Sequence, residues 1–324
     1  MRATQNWITL LFEPGAGPCV LMLAMGATLL LNMQAFAQGA TANTGSPIVV
    51  PAPAASAGFT TLTFDDEFDS LNTIDVNATK QQGYNWYTDL PFNGGRTLPS
   101  AYSISNGVLT VTSTGWTANW ALSSFSPGGN VGHSFQYGYF EARIRFDPSL
   151  GPKSQGWPAF WSLSTSHTVT DDQTHWAELD FFEAYTGGHA AYNGAFVGTV
   201  HDWANNSTLH FQNSNNWQTQ QGVDYSQWHT YGCLWKPGQV TWYFDGAPLM
   251  TQKYSVHNPP DPPANGLALH QNGVFHILDR ESGGMLLILG SSPGWPMQVD
   301  YVRAWQKMPS PSLRKVKKRN AAKE

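Results

Sequence analysis

Charged residues and cysteines are scarce in this chain of 324 residues. Only 12% of the residues are charged, about half of the roughly 25% that is typical of soluble proteins. A helical bundle or coiled coil needs many more Glu, Lys and Arg, so the composition argues against both. The two cysteines, Cys19 and Cys233, are too few for a cysteine-based metal cluster. The sequence also shows no glycine-rich phosphate loop, Ser/His/Asp set or zinc-type histidine pair.

Aromatic residues and turn formers are abundant instead. The chain has 14 Trp, 31 Gly and 21 Pro, and 13% of its residues are aromatic. So many rings need a packed environment, which excludes intrinsic disorder for most of the chain. The length accommodates a single all-β domain of about 200–250 residues.

The charge is unevenly distributed along the chain. Residues 58–306 hold nine basic and twenty acidic side chains, a formal charge of −11, whereas residues 307–324 carry +6. The acidic body is a poor ligand for phosphate backbones, so we expect no nucleic acid partner. The basic segment 307–324 reads as a solvated, disordered tail; contact with an anionic polymer or membrane is the alternative.

The first part of the chain has the features of a targeting segment. The apolar run at 20–31 is too short to span a bilayer comfortably, and a small-x-small cleavage pattern follows at 35–37. We therefore predict a signal peptide over 1–37 and a secreted protein, extracellular or periplasmic, with no stable membrane insertion after cleavage. An uncleaved anchor is the alternative. Residues 38–57, rich in Ala, Pro, Ser and Thr, read as a linker.

Short runs of β-branched and aromatic residues fill 58–306. Asn106-Gly107 and Asp245-Gly246 each separate two such runs, which is the signature of a β-hairpin. Residues 137–146 alternate between apolar and polar side chains, as a strand with one buried face does. Many short strands in one long segment predict an all-β sandwich of two sheets.

Three carboxylates stand close together within residues 176–183, which read WAELDFFE. Strand alternation puts Glu178 and Asp180 on one face but Glu183 on the other. One extra residue at the Phe pair 181–182, a β-bulge, would bring Glu183 to the same face and send one Phe into the core.

Paired carboxylates on one face are what glycoside hydrolysis requires, because one acts as acid and the other as nucleophile or base. An acidic exposed strand and a set of Ca²⁺ ligands are the alternatives. The neighbouring Trp, Leu and Phe residues argue against an exposed strand. Calcium sites usually draw carbonyl oxygens from turn-rich loops, which argues against calcium here.

The segment from Glu178 to Glu183 resembles the bulged E-x-D-x-x-E signature of glycoside hydrolase family 16, in its laminarinase-like form. The resemblance covers roughly residues 58–306. Further matching motifs, in chain order, are FDDEF at 64–68, YGYFEAR at 137–143, WPAFW at 157–161, WHTY at 228–231, WYFDG at 242–246 and VDYVR at 299–303.

The resemblance implies a concanavalin-A-like jelly roll of two sheets with a concave substrate cleft. It implies that Glu178 is the nucleophile, that Glu183 is the general acid/base, and that Asp180 tunes the nucleophile. Five residues are expected to contact sugars: Trp157, Trp161, Trp176, His201 and Trp203. Trp235, Trp242 and Trp305 are expected to be core residues.

The family also suggests a structural Ca²⁺ site near Glu67, Gly107 and Asp300, whereas the chemistry itself requires no cofactor. The expected function is that of a monomeric, retaining endo-β-glucanase that cuts internal β-1,3 or β-1,3/1,4 bonds of a polysaccharide. Four alternatives remain open: a galactanase acting on agar or carrageenan, a transglycosylase, a lectin-like protein that binds glucan without cutting it, and a structural cell-wall protein.

Overall fold

The computed structural model describes twelve segments of the chain, and every structural statement below concerns these segments. They are residues 47–88, 96–112, 116–118, 120–122, 130–147, 157–165, 175–184, 196–204, 209–212, 223–253, 284–291 and 295–307. The predicted signal peptide 1–37 lies outside the described residues, as does the predicted tail beyond Lys307. Within the described segments, no helix has the length and apolarity needed to cross a membrane.

The described residues are mostly β-strand. One short helix, α1, spans Ala52–Ala57, and 3-10 turns lie at Leu71–Thr73 and Pro99–Ala101. The strands are β1 Thr61–Asp66, β2 Ile74–Asp75, β3 Trp86–Tyr87, β4 Tyr102–Ser105, β5 Val108–Val111, β6 Trp116–Ala118, β7 Trp120–Leu122, β8 Asn130–Gly132, β9 Gly138–Phe146, β10 Ala159–Ser164, β11 His175–Glu183, β12 Val197–Ala204, β13 Leu209–Gln212, β14 His229–Lys236, β15 Gln239–Phe244, β16 Ala247–Lys253, β17 Met285–Gly290 and β18 Met297–Gln306.

These strands form two large sheets, apart from β7 and β8, which pair only with each other. The front sheet has the order β13-β12-β11-β10-β17-β6-β3-β2, and the back sheet has the order β16-β15-β14-β9-β18-β5-β4, with β1 also pairing with β18. Strands distant in sequence are neighbours in both sheets, such as β9 beside β18, as the crossovers of a jelly roll require. The predicted all-β sandwich of two sheets is confirmed.

Both predicted hairpins are present, and their turns have the expected backbone. Asn106 and Gly107 have φ values of 53° and 70°, and Asp245 and Gly246 have φ values of 49° and 76°. Two successive residues with positive φ make the turn that best matches the twist of paired strands, and Asn-Gly and Asp-Gly tolerate it best. The preference of these residue pairs for positive φ therefore determines where the two hairpins form.

The inner faces of the two sheets pack against each other. Phe140 of β9 in the back sheet stacks on Phe181 of β11 in the front sheet, with ring centroids 5.2 Å apart and planes only 4° from parallel. Trp235 and Trp305 are buried, as predicted, and Cys233 is buried with them. The catalytic strand predicted from the carboxylates, β11, thus rests directly on the core.

The end of the predicted linker differs from the expectation, because residues 52–57 belong to the folded domain. Ala54 of α1 is completely buried and packs with Phe59, Tyr139 and Trp305. Gly58 ends the helix in the left-handed conformation, with φ 75°. A six-residue helix with one buried Ala has no hydrophobic periodicity, and so its sequence resembles that of a linker.

Candidate active site

The pairing of β11 with β12 contains the predicted bulge. Asp180 lies opposite Thr199 and Glu183 lies opposite Val197, so two residues of β11 occupy the interval that β12 spans with Gly198 alone. One extra residue reverses strand alternation beyond it. Glu183 is therefore brought to the face that carries Asp180, as the sequence predicted.

Both phenylalanines of the bulge enter the core, whereas the sequence analysis expected only one. Phe181 stacks on Phe140, and the ring of Phe182 lies 3.9 Å from that of Tyr231 in the back sheet, measured between centroids. Both are almost completely buried. In the bulge two consecutive side chains point to the same side, which simple alternation does not allow.

The three carboxyl groups lie on the outer face of the front sheet. Glu178 and Glu183 are partly exposed, whereas Asp180 between them is 1% exposed. Leu179, which points the other way, is fully buried in the core. The strand thus separates its acidic residues from its apolar ones.

The Asp180 carboxyl group contacts the carboxyl groups of both glutamates. Among the described residues, no N–H or hydroxyl group makes a well-aligned hydrogen bond to either oxygen of Asp180. The carboxyl groups of Glu178 and Glu183 both lie within hydrogen-bonding reach of it. Two ionised carboxylates cannot bond to each other, so at least one of the three groups must carry a proton.

This arrangement bears on the separation of the two glutamates. Retaining glycosidases use two carboxyl groups about 5–5.5 Å apart. Because Glu178 and Glu183 both contact the one carboxyl group of Asp180, we expect their separation to lie near this range.

The surroundings favour the protonated forms of two of these groups. Burial raises the pKa of Asp180 to about 8, although contacts with Glu183 and Glu178 partly offset this rise. Burial, followed by the negative charge of Asp180, raises the pKa of Glu183 well above its ordinary range. The site therefore holds protons near neutral pH, as a general acid must.

Trp157 contacts the carboxyl group of Glu183 directly. Its indole Nε1–H donates a hydrogen bond of 2.8 Å to Oε1 of Glu183. This bond opposes the rise in the pKa of Glu183 and fixes the orientation of its carboxyl group. The sequence analysis expected a sugar contact at Trp157, and that role stays a prediction.

His201 lies against the carboxyl groups from the neighbouring strand. It is the cross-strand partner of Glu178, and its Nε2 lies 3.1 Å from Oδ2 of Asp180 and 3.9 Å from Oε1 of Glu178. The His201 ring thus contacts the carboxyl groups themselves, whereas only a sugar contact was expected there.

The same three side chains could approach a metal ion. One ligand atom from each of Glu178, Asp180 and His201 lies within 4.8 Å of the others. A set that contains imidazole suits a transition metal better than calcium, which prefers oxygen ligands. The donor chemistry therefore disfavours the calcium alternative at this strand.

The strand register places the remaining predicted sugar contacts on the same face. Trp161 is partly exposed and lies opposite Asp180 across β10 and β11. Trp176 pairs with Trp203 two positions along from the pair of Glu178 and His201. The side chains of Trp176 and Trp203 lie outside the described part of the structure, so these two contacts stay predictions.

The residues predicted to bind calcium lie at the back sheet: Asp300 in β18, Glu67 directly after β1, and Gly107 in the turn between β4 and β5. The Glu67 carboxylate pairs with Arg303 at 2.5 Å, and the Asp300 carboxylate pairs with Arg143 at 2.5 Å. A Cβ atom at Gly107 would lie 3.8 Å from the carbonyl oxygen of Glu67. Because arginines occupy both carboxylates, calcium here would depend mainly on backbone carbonyl oxygens. The calcium site stays a prediction.

A further residue at the site was missed by the sequence analysis. Trp242 of the back sheet is 2% exposed, as a predicted core residue should be, yet its Nε1–H donates a hydrogen bond of 2.7 Å to the carbonyl oxygen of Asp180. Gly198 lies opposite the bulge, where a side chain would collide with this indole. A glycine inside a strand is the one signal in the sequence, because it often marks a close approach.

A family model matches more than half of the chain. Residues 99–269 match the model described as Glycosyl hydrolases family 16. This match lies within the segment 58–306 that carries the motif resemblance, and it includes all three carboxylates of β11.

Two relatives from Rhizobium meliloti (strain 1021) are similar to this chain. The endo-1,3-1,4-beta-glycanase ExsH is 26% identical over 278 residues, which cover 75% of this chain and 51% of ExsH. The endo-1,3-1,4-beta-glycanase EglC is 26% identical over 276 residues, which cover 76% of this chain and 51% of EglC. The chain thus matches about half the length of each relative.

Among solved structures, SCLam is described as a non-specific endo-beta-1,3(4)-glucanase from family GH16. It is 19% identical to this chain, with a TM-score of 0.46, and the alignment covers 84% of this chain and 98% of SCLam.

Proposed function

Because the chain belongs to glycosyl hydrolases family 16, as its motifs predicted, we propose that it is a retaining endo-β-glucanase. The observation that supports this best is the cluster of three carboxyl groups on one bulged strand, with Asp180 joined to both glutamates. The cluster puts two glutamates and a buried aspartic acid on one face, and raised pKa values favour a carboxylic acid beside a carboxylate, the pair that double displacement on a sugar requires.

The environment of each glutamate supports its role in the proposal. Glu183 holds its proton, because burial raises its pKa, and Trp157 orients its carboxyl group. Glu183 is therefore the general acid. Glu178 is the nucleophile, and a protonated Asp180 donates a hydrogen bond that favours its ionised form.

In the first step, a Glu178 oxygen attacks the anomeric carbon and the bond from that carbon to the leaving oxygen breaks. Glu183 gives its proton to the leaving oxygen, so the departing sugar leaves as a neutral alcohol. The product of this step is a glycosyl ester on Glu178, with Glu183 now ionised.

In the second step, Glu183 takes a proton from water while the water oxygen attacks the anomeric carbon. The ester bond to Glu178 breaks, and both carboxyl groups return to their starting states. Two inversions give net retention of the anomeric configuration. The proposed chemistry uses carboxyl groups and water and requires no cofactor.

The proposed substrate is a polysaccharide with internal β-1,3 or mixed β-1,3/1,4 glucosidic bonds. The names of ExsH and EglC, both endo-1,3-1,4-beta-glycanases, support this class. Trp161, partly exposed opposite Asp180, offers an aromatic face on which a sugar ring can stack.

The proposal is tested by hydrolysis of a panel of laminarin, lichenan, agarose and xyloglucan, with sizing of the products. We expect shorter oligosaccharides from laminarin or lichenan, and an E178Q variant that folds but releases none. An Asp224→Asn variant, changed at an exposed carboxylate outside the site, serves as control and should keep full activity. Cleavage of agarose alone would identify a galactanase, binding without cleavage would identify a lectin, and activity in E178Q would refute the mechanism.

We propose in addition that the enzyme is exported and acts as a monomer. The apolar run at 20–31 and the cleavage pattern after it support export. N-terminal sequencing of secreted material should find Gln38 first, and light scattering should give the mass of one chain. A calcium ion near Gly107 would stabilise the fold only, so chelation should lower Tm and leave kcat unchanged for the enzyme that remains folded.

A further inference from the structure

We propose that Trp242 is a positioning residue for the acid/base Glu183, which rests on the function proposed above. Trp242 belongs to β15 in the back sheet, and Asp180 belongs to β11 in the front sheet. The indole therefore reaches across the core of the sandwich to the strand that carries the carboxyl groups.

The bond is made where the front sheet is irregular. Regular pairing between β11 and β12 stops after Asp180 and resumes at Glu183. A bulge disrupts the ladder of backbone hydrogen bonds at such a point. The Nε1–H of Trp242 donates to the carbonyl oxygen of Asp180 at 2.7 Å in a fully buried setting, where an unpaired carbonyl would be costly.

Gly198 provides the space that this contact needs. A Cβ atom at this position would lie 2.2 Å from Nε1 and 2.3 Å from Cδ1 of Trp242, closer than atoms can approach. Gly198 is also the residue of β12 that faces the two-residue bulge. The space left by Gly198 and the indole N–H of Trp242 thus lie together beside the bulge of β11.

The consequence for catalysis lies in the spacing of the carboxyl groups. The backbone at Asp180 links the regular part of β11, which carries Glu178, to the bulge that turns Glu183 onto the same face. By fixing that carbonyl, Trp242 fixes the direction in which the chain enters the bulge. Displacing a catalytic group by about 1 Å costs on the order of 100-fold in rate. Loss of this hydrogen bond is therefore expected to lower kcat.

The test compares Trp242→Phe and Gly198→Ala with Trp305→Phe. The first removes the donor but keeps an aromatic ring, and the second pushes the indole away from the opposite side. Trp305 is an equally buried tryptophan in the small cluster with Ala54 and Phe59, and serves as control. The readouts are kcat and KM on the best glucan, the pH profile of kcat/KM, and hydrogen exchange of the amides at 181–184.

In Trp242→Phe and Gly198→Ala we expect kcat to fall by about tenfold to 100-fold, with KM within about twofold of the wild type. The pH profile should shift, and the amides at 181–184 should exchange faster. Trp305→Phe should leave the pH profile and these amides unchanged. Equal losses in Trp305→Phe, or a wild-type kcat, pH profile and exchange in Trp242→Phe, would overturn the proposal.

If both site variants fail to fold, NMR of the wild type tests the proposal. A protected indole N–H of Trp242 whose resonance follows the titration of the carboxyl cluster supports it. An indole N–H whose resonance does not follow that titration overturns it. Should the wild type cut no glucan, the proposed function fails, whereas exchange at 181–184 still decides whether Trp242 holds the bulge.

Discussion

At the scale of single residues, the site depends on how protons are distributed among three neighbouring carboxyl groups. Asp180 is the most buried of them, and hydrogen bonds from it to both glutamates require one proton each. Trp157 and His201 then act on this cluster from outside the strand. The chemistry of Glu183 is thus set by its neighbours as much as by its own side chain.

A first prediction concerns Trp157. In a Trp157→Phe variant, the hydrogen bond that favours ionised Glu183 is lost, so the pKa of Glu183 rises further. A general acid must be protonated, and therefore the alkaline limb of the kcat/KM profile should move to higher pH. We expect kcat to fall about threefold to tenfold, the worth of one hydrogen bond of about 1 kcal/mol.

The matched control is Trp161→Phe, a tryptophan on the same face whose predicted partner is sugar rather than carboxyl. It should raise KM and leave the pH profile unchanged. An alkaline limb that moves to lower pH in Trp157→Phe would show that the indole does not stabilise the carboxylate of Glu183.

The residues themselves were largely predictable from the sequence, but their partners were not. Glu178, Asp180 and Glu183 stand out because carboxylates seldom cluster in an apolar strand. The bonds from Trp157 to Glu183 and from Trp242 to the Asp180 carbonyl join positions 26 and 62 residues apart. Such contacts depend on how the strands pack, which local patterns do not specify.

At the scale of secondary structure, the bulge in β11 is the element that makes the site. Strand alternation alone predicted a bulge, since without one Glu183 would face away from Glu178. The pairing register between β11 and β12 contains this bulge. The two hairpins were equally predictable, since Asn-Gly and Asp-Gly favour the backbone that their turns adopt. Helix α1 was missed because it is short and buries only Ala54.

A second prediction shifts the alternation of the strand beyond the bulge. Inserting one alanine between Phe182 and Glu183 leaves the bulge in place and puts the alanine at the outward-facing position, so Glu183 turns toward the core and leaves the face that carries Glu178. We expect hydrolysis to fall at least about 1,000-fold, as for loss of a residue essential to the reaction. Circular dichroism should still report a β protein, and product sizing measures the activity.

Phe182→Leu is the control for that insertion, because it keeps the alternation of the strand and loses only the ring that packs on Tyr231. It should cost about 1–3 kcal/mol of the free energy of unfolding and retain most of the activity of the folded enzyme. A folded insertion variant with normal activity would mean that strand alternation beyond the bulge does not position Glu183.

At the scale of the whole molecule, the carboxyl cluster opposes stability. The pKa of Asp180 is raised from 3.8 to about 8, and the pKa of Glu183 is raised well above 4.5. Between about pH 4 and 8 the folded protein keeps a proton on Asp180 that the unfolded chain releases. The free energy of unfolding therefore falls as pH rises through this window, by up to about 1.4 kcal/mol per pH unit for one such group.

A third prediction follows for Asp180→Asn, which cannot ionise. Its Tm should match the wild type near pH 4 and exceed it by a growing margin toward pH 8, while hydrolysis is lost. Thermal unfolding at several pH values measures the difference. A constant Tm difference across that range would contradict a raised pKa at Asp180.

The sandwich also explains the composition of the chain. Many of the aromatic residues lie in its core, including Trp235, Trp242 and Trp305. Trp157 and Trp161, in contrast, are partly exposed beside the carboxyl groups. The few charges of the back sheet form specific pairs, such as Arg303 with Glu67. The large apolar core and the tryptophans beside the carboxyl groups thus account for the scarcity of charge and the abundance of tryptophan.

The most direct test of the central claim is the anomeric configuration of the first product, followed by proton NMR during hydrolysis of laminarin or lichenan. Double displacement by Glu178 and Glu183 predicts that the new reducing ends appear first as the β anomer and only later mutarotate. Initial release of the α anomer would contradict the account, because it would mean a single displacement by water across a wider pair of carboxyl groups.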